Sequence, residues 1–175
     1  MFGIVGGLSG LLSAELIYLL DNLNGVLLAV DPSLAIVVNF GVVPGLTFGF
    51  MAGAALKIKA ILPRSSYLTF VVISAVSNLI SFFVYAGTHE ALARWAAGYV
   101  AGLAGSGCFA IAVVLLISPA KRVAAFVFLT LIGGLLGTAC ALIFVSSTGL
   151  WIFLALWQLG YAATLYGFLK SSREN

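Results

Sequence analysis

Charge is the scarcest property of this 175-residue sequence. Asp, Glu, Lys and Arg together supply 7% of the residues, whereas hydrophobic residues supply 63%. A water-soluble domain carries about 25% charged residues, and this chain could not cover a wet surface with so few. The mean hydropathy of +1.22 therefore predicts an all-α integral membrane protein, with residues 1–175 forming a single transmembrane domain in contact with the lipid bilayer. The net charge of +3 is too small to indicate a nucleic-acid partner.

Metal ligands and catalytic groups are equally scarce. The chain has one His and two Cys and contains no Cys-x-x-Cys, so we expect no metal site and no cofactor. Cys108 and Cys140 are predicted to be buried thiols that act as small apolar residues. The segment Gly7-Leu8-Ser9-Gly10 is similar to the nucleophile motif of rhomboid proteases. It lies in the first span, however, and the single histidine, His89, lies in a loop, so no nucleophile and base are expected to meet and we predict no enzymatic activity.

Six apolar segments are long enough to cross a bilayer, which requires about 20 residues each. The predicted spans are about 3–20, 34–56, 67–85, 92–118, 123–145 and 150–169. We interpret the first as a span rather than a signal peptide because no Lys or Arg precedes it. Residues 21–33 are expected to connect the first two spans, either in the interface or by dipping back into the bilayer.

Basic residues recur in alternate loops of this six-span arrangement. They follow the second, fourth and sixth spans as Lys57, Lys59 and Arg64, then Lys121 and Arg122, then Lys170 and Arg173. Cytoplasmic loops of membrane proteins carry the excess of Lys and Arg. Both termini are therefore predicted to be cytoplasmic, and the expected location is a prokaryotic cytoplasmic (inner) membrane.

A strip of glycines marks the second span, because Gly41, Gly45, Gly49 and Gly53 recur every fourth residue and share one helical face. Small residues on one face allow close helix packing in lipid. Pro44 lies within this glycine strip and predicts a bend that frees a main-chain carbonyl. Similar strips in the first, fourth and fifth spans favour a compact six-helix bundle packed through small-xxx-small faces. Contact with a second copy or with a partner membrane protein is the alternative.

Polar side chains within the spans are the candidate ligand-binding residues, because a polar group in hydrocarbon must be paired or hydrated. They are Glu15, Asn39, Asn78, Gln158 and Tyr161. Glu15 is the one carboxylate in a predicted span, and we expect it either to face the bundle interior or to be solvated near the outer interface. Hydrogen bonds between helices are the alternative role for the amide side chains.

The architecture is similar to that of the substrate-binding S-components of energy-coupling-factor vitamin transporters. The similarity consists of six spans in a short chain, cytoplasmic termini, and a first helix rich in small residues at Gly6, Gly10 and Ala14. These residues match the family's Ala-x-x-x-Ala signature only loosely, and no vitamin-specific motif is present. The resemblance implies a transporter subunit that binds or translocates a small solute or lipid. The alternative is a non-catalytic subunit or assembly factor of a membrane complex, packed through its glycine faces.

Overall fold

The computed structural model describes residues 2–23, 31–117, 121–144 and 148–171, with the backbone alone at 142–144, 170 and 171. Every regular element in these ranges is helical. Six helical segments are long and apolar enough to cross a membrane, so the prediction of an all-α bundle with six such helices is confirmed. Most of the expected connector between the first two spans lies outside the described residues.

Seven α-helices and three short irregular helical segments make up these six spans. The α-helices are α1 Phe2–Leu23, α2 Pro32–Ile36, α3 Val43–Ile58, α4 Tyr67–Thr88, α5 Arg94–Ile117, α6 Arg122–Gly137 and α7 Gly149–Ser171. A π-helical turn, Val37–Val42, joins α2 to α3 in one continuous span. A 3-10 turn, Arg64–Ser66, precedes α4, and a second one, Thr138–Phe144, continues α6.

Local sequence signals set the start of the second span, and a backbone turn ends it. Asp31 caps its start, because the carboxylate accepts hydrogen bonds from the main-chain N–H groups of Ser33 at 2.8 Å and Leu34 at 3.2 Å. Pro32 occupies the first helical position, where its missing N–H is not needed. At the other end Ala60 adopts a positive φ of 52°, which turns the chain out of the helix.

The spans pack in a closed ring that follows the chain. Each span contacts its neighbours in sequence, and α7 returns to pack along α1. The centre of the ring is filled by aromatic side chains from alternate spans. Phe109 lies 5.9 Å from Phe48 and 5.5 Å from Tyr161 between ring centroids, in edge-to-face geometry. Such pairs add specific attraction to the burial of apolar area, so these rings form a packed core among the described residues.

The outward surface of the bundle is rich in large apolar side chains. Ile4, Leu115 and Val123 are 66%, 73% and 76% exposed, and comparable residues lie on every span. Water-soluble monomers rarely expose contiguous apolar patches beyond a few hundred Å². This surface is typical of a protein solvated by lipid.

The glycine strip of the second span packs against α4. A Cβ atom added at Gly45 would lie 2.7 Å from the Ala75 Cα, and one at Gly49 would lie 2.8 Å from the Val71 Cα. Both distances are shorter than any real Cβ contact, so the two backbones touch only because these positions have no side chain. The same helix also lies against the remaining members of the strip, Gly41 and Gly53.

The other small-residue faces are also covered within the chain. The strip of α1 faces the main chain of α7. Between α5 and α6 the glycines face one another, since a Cβ at Gly98 or Gly102 would overlap the carbonyl oxygen of Gly137 or Gly133. The small residues of these helices therefore bring together backbones of one molecule.

Candidate functional site

Gln158 is completely buried where α1, α3 and α7 meet. Its Nε2 donates hydrogen bonds to Ser13 Oγ at 3.0 Å and to the Pro44 carbonyl at 3.1 Å. Ser9 Oγ donates to Gln158 Oε1, and the hydroxyls of Ser13 and Thr47 are hydrogen-bonded to each other. Both amide donors are thus used, and this polar network links three spans.

The main-chain hydrogen bonding of the second span is interrupted just before Pro44. In a regular α-helix the Phe40 carbonyl would accept from the N–H of residue 44, which proline lacks. Asn78 of α4 supplies the donor, since its Nδ2 bonds the carbonyls of Phe40 and Gly41 at 2.9 Å each. These two acceptors fix the orientation of the amide and leave its Oδ1 without a hydrogen bond from any described residue.

The larger of two cavities beside this network has a volume of about 330 Å³. It lies between the second span, α4, α5, α6 and α7, toward the end of the bundle where α4 ends and α5 begins. Aromatic side chains form much of its wall, namely Phe40, Phe82, Tyr85, Phe153 and Trp157. None of the described residues that line it is charged. Its size and walls are typical of sites for small molecules.

A smaller cavity of about 30 Å³ lies at the bundle centre, beside the ring of Phe109. It shares three lining residues with the larger cavity, Asn78, Ser81 and Trp157. The two cavities are therefore neighbours, and these three side chains lie between them. A volume of roughly 10–15 Å³ is enough for one water molecule, so the smaller cavity can hold a small polar group.

Buried polar atoms without a partner belong to residues that line the two cavities. Ser74 and Ser77 line the smaller cavity, and their Oγ atoms are buried and have no hydrogen bond to a described residue. Tyr85 lines the larger cavity, and its hydroxyl lies beside the Cys140 thiol but makes no hydrogen bond of normal geometry. Leaving such a group unsatisfied costs about 1–3 kcal/mol. Water or a bound ligand would remove that cost.

Three of the five predicted site residues meet at the smaller cavity, namely Asn78, Gln158 and Tyr161. Tyr161 is buried and its hydroxyl donates to the Ser106 carbonyl at 3.4 Å. Asn39 is buried in the π-helical turn, where its Oδ1 has no partner, but it lines neither cavity. The fold therefore brings Asn78 of α4 together with Gln158 and Tyr161 of α7.

Glu15 lines neither cavity, and of the two alternatives stated for it the interior position does not agree with the structure, whereas an exposed position does. Its side chain is exposed on the outside of α1. The buried face of this helix includes Ser9 and Ser13, and a residue two positions after Ser13 points roughly to the opposite side. The prediction for Cys108 is also corrected, since that thiol is exposed, whereas Cys140 is buried.

Several residues of the site were not among the predicted site residues. Ser77 completes a polar stripe on α4 in which Ser74, Asn78 and Ser81 recur at helical spacing. The position of Ser74 and Ser81 on the same face as Asn78 is visible in the sequence, because residues three and four apart share a face. The hydroxyls that satisfy Gln158 were missed because serine and threonine are also common in membrane helices as residues bonded to their own backbone.

Removing the Asn78 side chain is expected to cost about 1–2 kcal/mol of unfolding free energy, because two buried carbonyls lose their donor. The cost should fall when Pro44→Ala is present, since that substitution returns a main-chain N–H to the open turn. Unfolding of the wild type, Asn78→Ala, Pro44→Ala and the double variant in detergent gives the coupling free energy. Strictly additive effects would contradict the role assigned to Asn78.

Comparisons of the chain with protein-family models, with curated proteins and with solved structures found no match.

Proposed function

We propose that this integral membrane protein binds a small, mainly apolar solute or lipid inside its helix bundle. The cavity of about 330 Å³ carries this proposal. Aromatic walls attract an apolar ligand, and the absence of charge among the described lining residues removes any need to desolvate an ion on binding.

The charge distribution supports binding from the outer side. The larger cavity lies toward the end of the bundle opposite the basic residues Lys57, Lys59, Arg64, Lys121 and Arg122. If these residues mark the cytoplasmic side, as they do in most membrane proteins, both termini are cytoplasmic and the cavity occupies the outer half of the membrane. Such a protein could deliver its ligand to a transporter or carry it across the membrane.

The alternative role, a subunit that packs on partner helices through its glycine faces, has less support. Those faces are covered by other helices of the same chain. A partner would have to bind the apolar outer surface instead, which any membrane protein presents to lipid.

Filling the larger cavity should weaken ligand binding without unfolding the protein. Ala101 of α5 is 5% exposed and lines this cavity, whereas Val100, the preceding residue, is 37% exposed on the outer face. We expect Ala101→Phe to bind at least tenfold more weakly than the matched control Val100→Phe. The ligand is first found by thermal-shift screening of lipids and apolar metabolites on the purified protein, because a ligand of the folded state raises its stability.

The control for this experiment is the melting temperature without ligand. A variant Ala101→Phe that melts near the wild-type temperature and still binds with wild-type affinity would show that the ligand lies elsewhere. A screen in which no lipid or metabolite stabilises the wild type would count against the proposed function itself.

A further inference from the structure

The two neighbouring cavities differ in chemistry as well as in size. The larger has mainly apolar walls, whereas a stripe of polar side chains on α4 lines the smaller one. Asn78 and Ser81 lie in the walls of both. A molecule with a polar end and an apolar body would match this order of surfaces, with the polar end toward the bundle centre.

Three oxygen atoms of residues that line the smaller cavity make no hydrogen bond to another described residue. Ser74 Oγ and Ser77 Oγ belong to side chains that are 4% and 5% exposed. The third is the Oδ1 of Asn78, whose two N–H groups are occupied by the carbonyls of Phe40 and Gly41. Serine hydroxyls can donate or accept, but the amide oxygen can only accept. The group that fits this set must therefore donate one hydrogen bond and can accept others.

The walls of both cavities disfavour a ligand with a charged head group. None of the described lining residues is Asp, Glu, Lys, Arg or His. A carboxylate head would be desolvated without a cation and would face the Asn78 oxygen, which repels it. An ammonium head would be desolvated without a counter-ion.

We infer that the ligand is an amphipathic alcohol, whose uncharged hydroxyl enters the smaller cavity and bonds Asn78 Oδ1 and the α4 serines, while its hydrocarbon body fills the larger cavity. This inference rests on the proposed function. It adds the chemical class of the ligand and the direction in which it is bound.

The test compares four probes with the same ten-carbon chain on protein reconstituted in nanodiscs at pH 8. They are 1-decanol, its methyl ether, decanoate and decylamine. The ether can accept a hydrogen bond but cannot donate one. We expect 1-decanol to bind at least tenfold more tightly than each of the other three, measured by thermal shift and calorimetry.

Ser77→Ala should locate the head group. We expect this variant to lose at least fivefold in affinity for 1-decanol and to lose less for the ether, because the ether cannot donate to Asn78 Oδ1 and is not held at the same place. Ser65→Ala, at an exposed position in the 3-10 turn before α4 and away from both cavities, serves as the matched control and should leave both affinities unchanged. Melting temperatures without probe show whether Ser77→Ala folds, and Ser74→Ala provides a second variant if it does not.

The possible results separate the two proposals. Equal binding of all four probes, abolished by Ala101→Phe, would overturn the head-group inference and leave the apolar site standing. A preference for 1-decanol that survives in both Ser77→Ala and Ser74→Ala would also overturn it, because the hydroxyl would then bind elsewhere. Failure of every probe to bind, while an unrelated apolar ligand is found and is blocked by Ala101→Phe, would reject the alcohol alone.

Discussion

Gly102→Ala is expected to destabilise the bundle by about 2 kcal/mol, whereas Gly107→Ala in the same helix should be neutral or slightly stabilising. A Cβ at Gly102 would lie 3.0 Å from the Gly134 Cα and closer still to the Gly133 carbonyl oxygen. These are main-chain atoms of α6, which cannot rotate away as a flexible side chain can. The same addition at Gly107 meets only the side chain of Thr130, at 3.7 Å and 3.8 Å.

The two variants form a matched pair because both replace a glycine of α5 by alanine. Each gains up to about 1 kcal/mol of helix propensity, so the difference between them reports the packing at α6. Reversible unfolding in mixed detergent micelles measures this difference. Because Gly133 and Gly137 face α5 reciprocally, Gly137→Ala should be as damaging as Gly102→Ala. Equal stability of the Gly102 and Gly107 variants would show that α5 and α6 do not approach each other as closely as described.

The number of helices long enough to cross a membrane was predictable because such a helix carries a one-dimensional signal. About 20 consecutive apolar residues suffice to cross, and charged or turn residues mark the ends. Asp31 and Pro32 at the start of the second span illustrate this, since capping chemistry depends on adjacent residues alone. The pairing of α7 with α1, by contrast, joins the two ends of the chain and leaves no local trace.

The site was only partly predictable because burial in such a helix is not visible in hydropathy. The inner and outer faces are both apolar, so no amphipathic pattern reveals which way Glu15 points. Small residues were the better guide, because the face of α1 that includes Gly6, Gly10 and Ser13 is the buried one. Glu15 lies away from that face, and a rule based on small residues would have placed it outside.

The break in the helix at Pro44 could be predicted from the sequence, but the side chains that repair it could not. Its effect on the helix follows from its chemistry, since it removes one N–H from the ladder. Which groups repair the break depends on the fold. Asn78 donates to the carbonyl that proline leaves free, and Gln158 donates to the carbonyl of Pro44 itself. Asn78 and Gln158, which are far apart in the sequence, thus meet at this break beside the smaller cavity.

Gln158→Leu is expected to lower the unfolding free energy by about 2 kcal/mol even without ligand. The substitution keeps a similar volume but removes three buried hydrogen bonds that link α7 to α1 and α3. Bonds of this kind between membrane helices contribute about 0.6 kcal/mol on average, and Ser9 Oγ would also lose its acceptor in a fully buried position. For a chain of this size the melting temperature should fall by about 4–8 °C.

Thr164→Val is the matched control, because Thr164 lies on the same helix and its hydroxyl bonds only its own backbone, at Gly160. That variant should stay within about 0.5 kcal/mol of the wild type. A double-mutant cycle with Ser9→Ala then isolates the contact between helices, and we expect the second substitution to cost less once Gln158 is gone. The opposite pattern, unchanged stability of Gln158→Leu with loss of ligand affinity, would assign Gln158 to the ligand. Because both N–H donors of Gln158 are already bonded within the protein, the structure favours a stabilising role for Gln158 between spans.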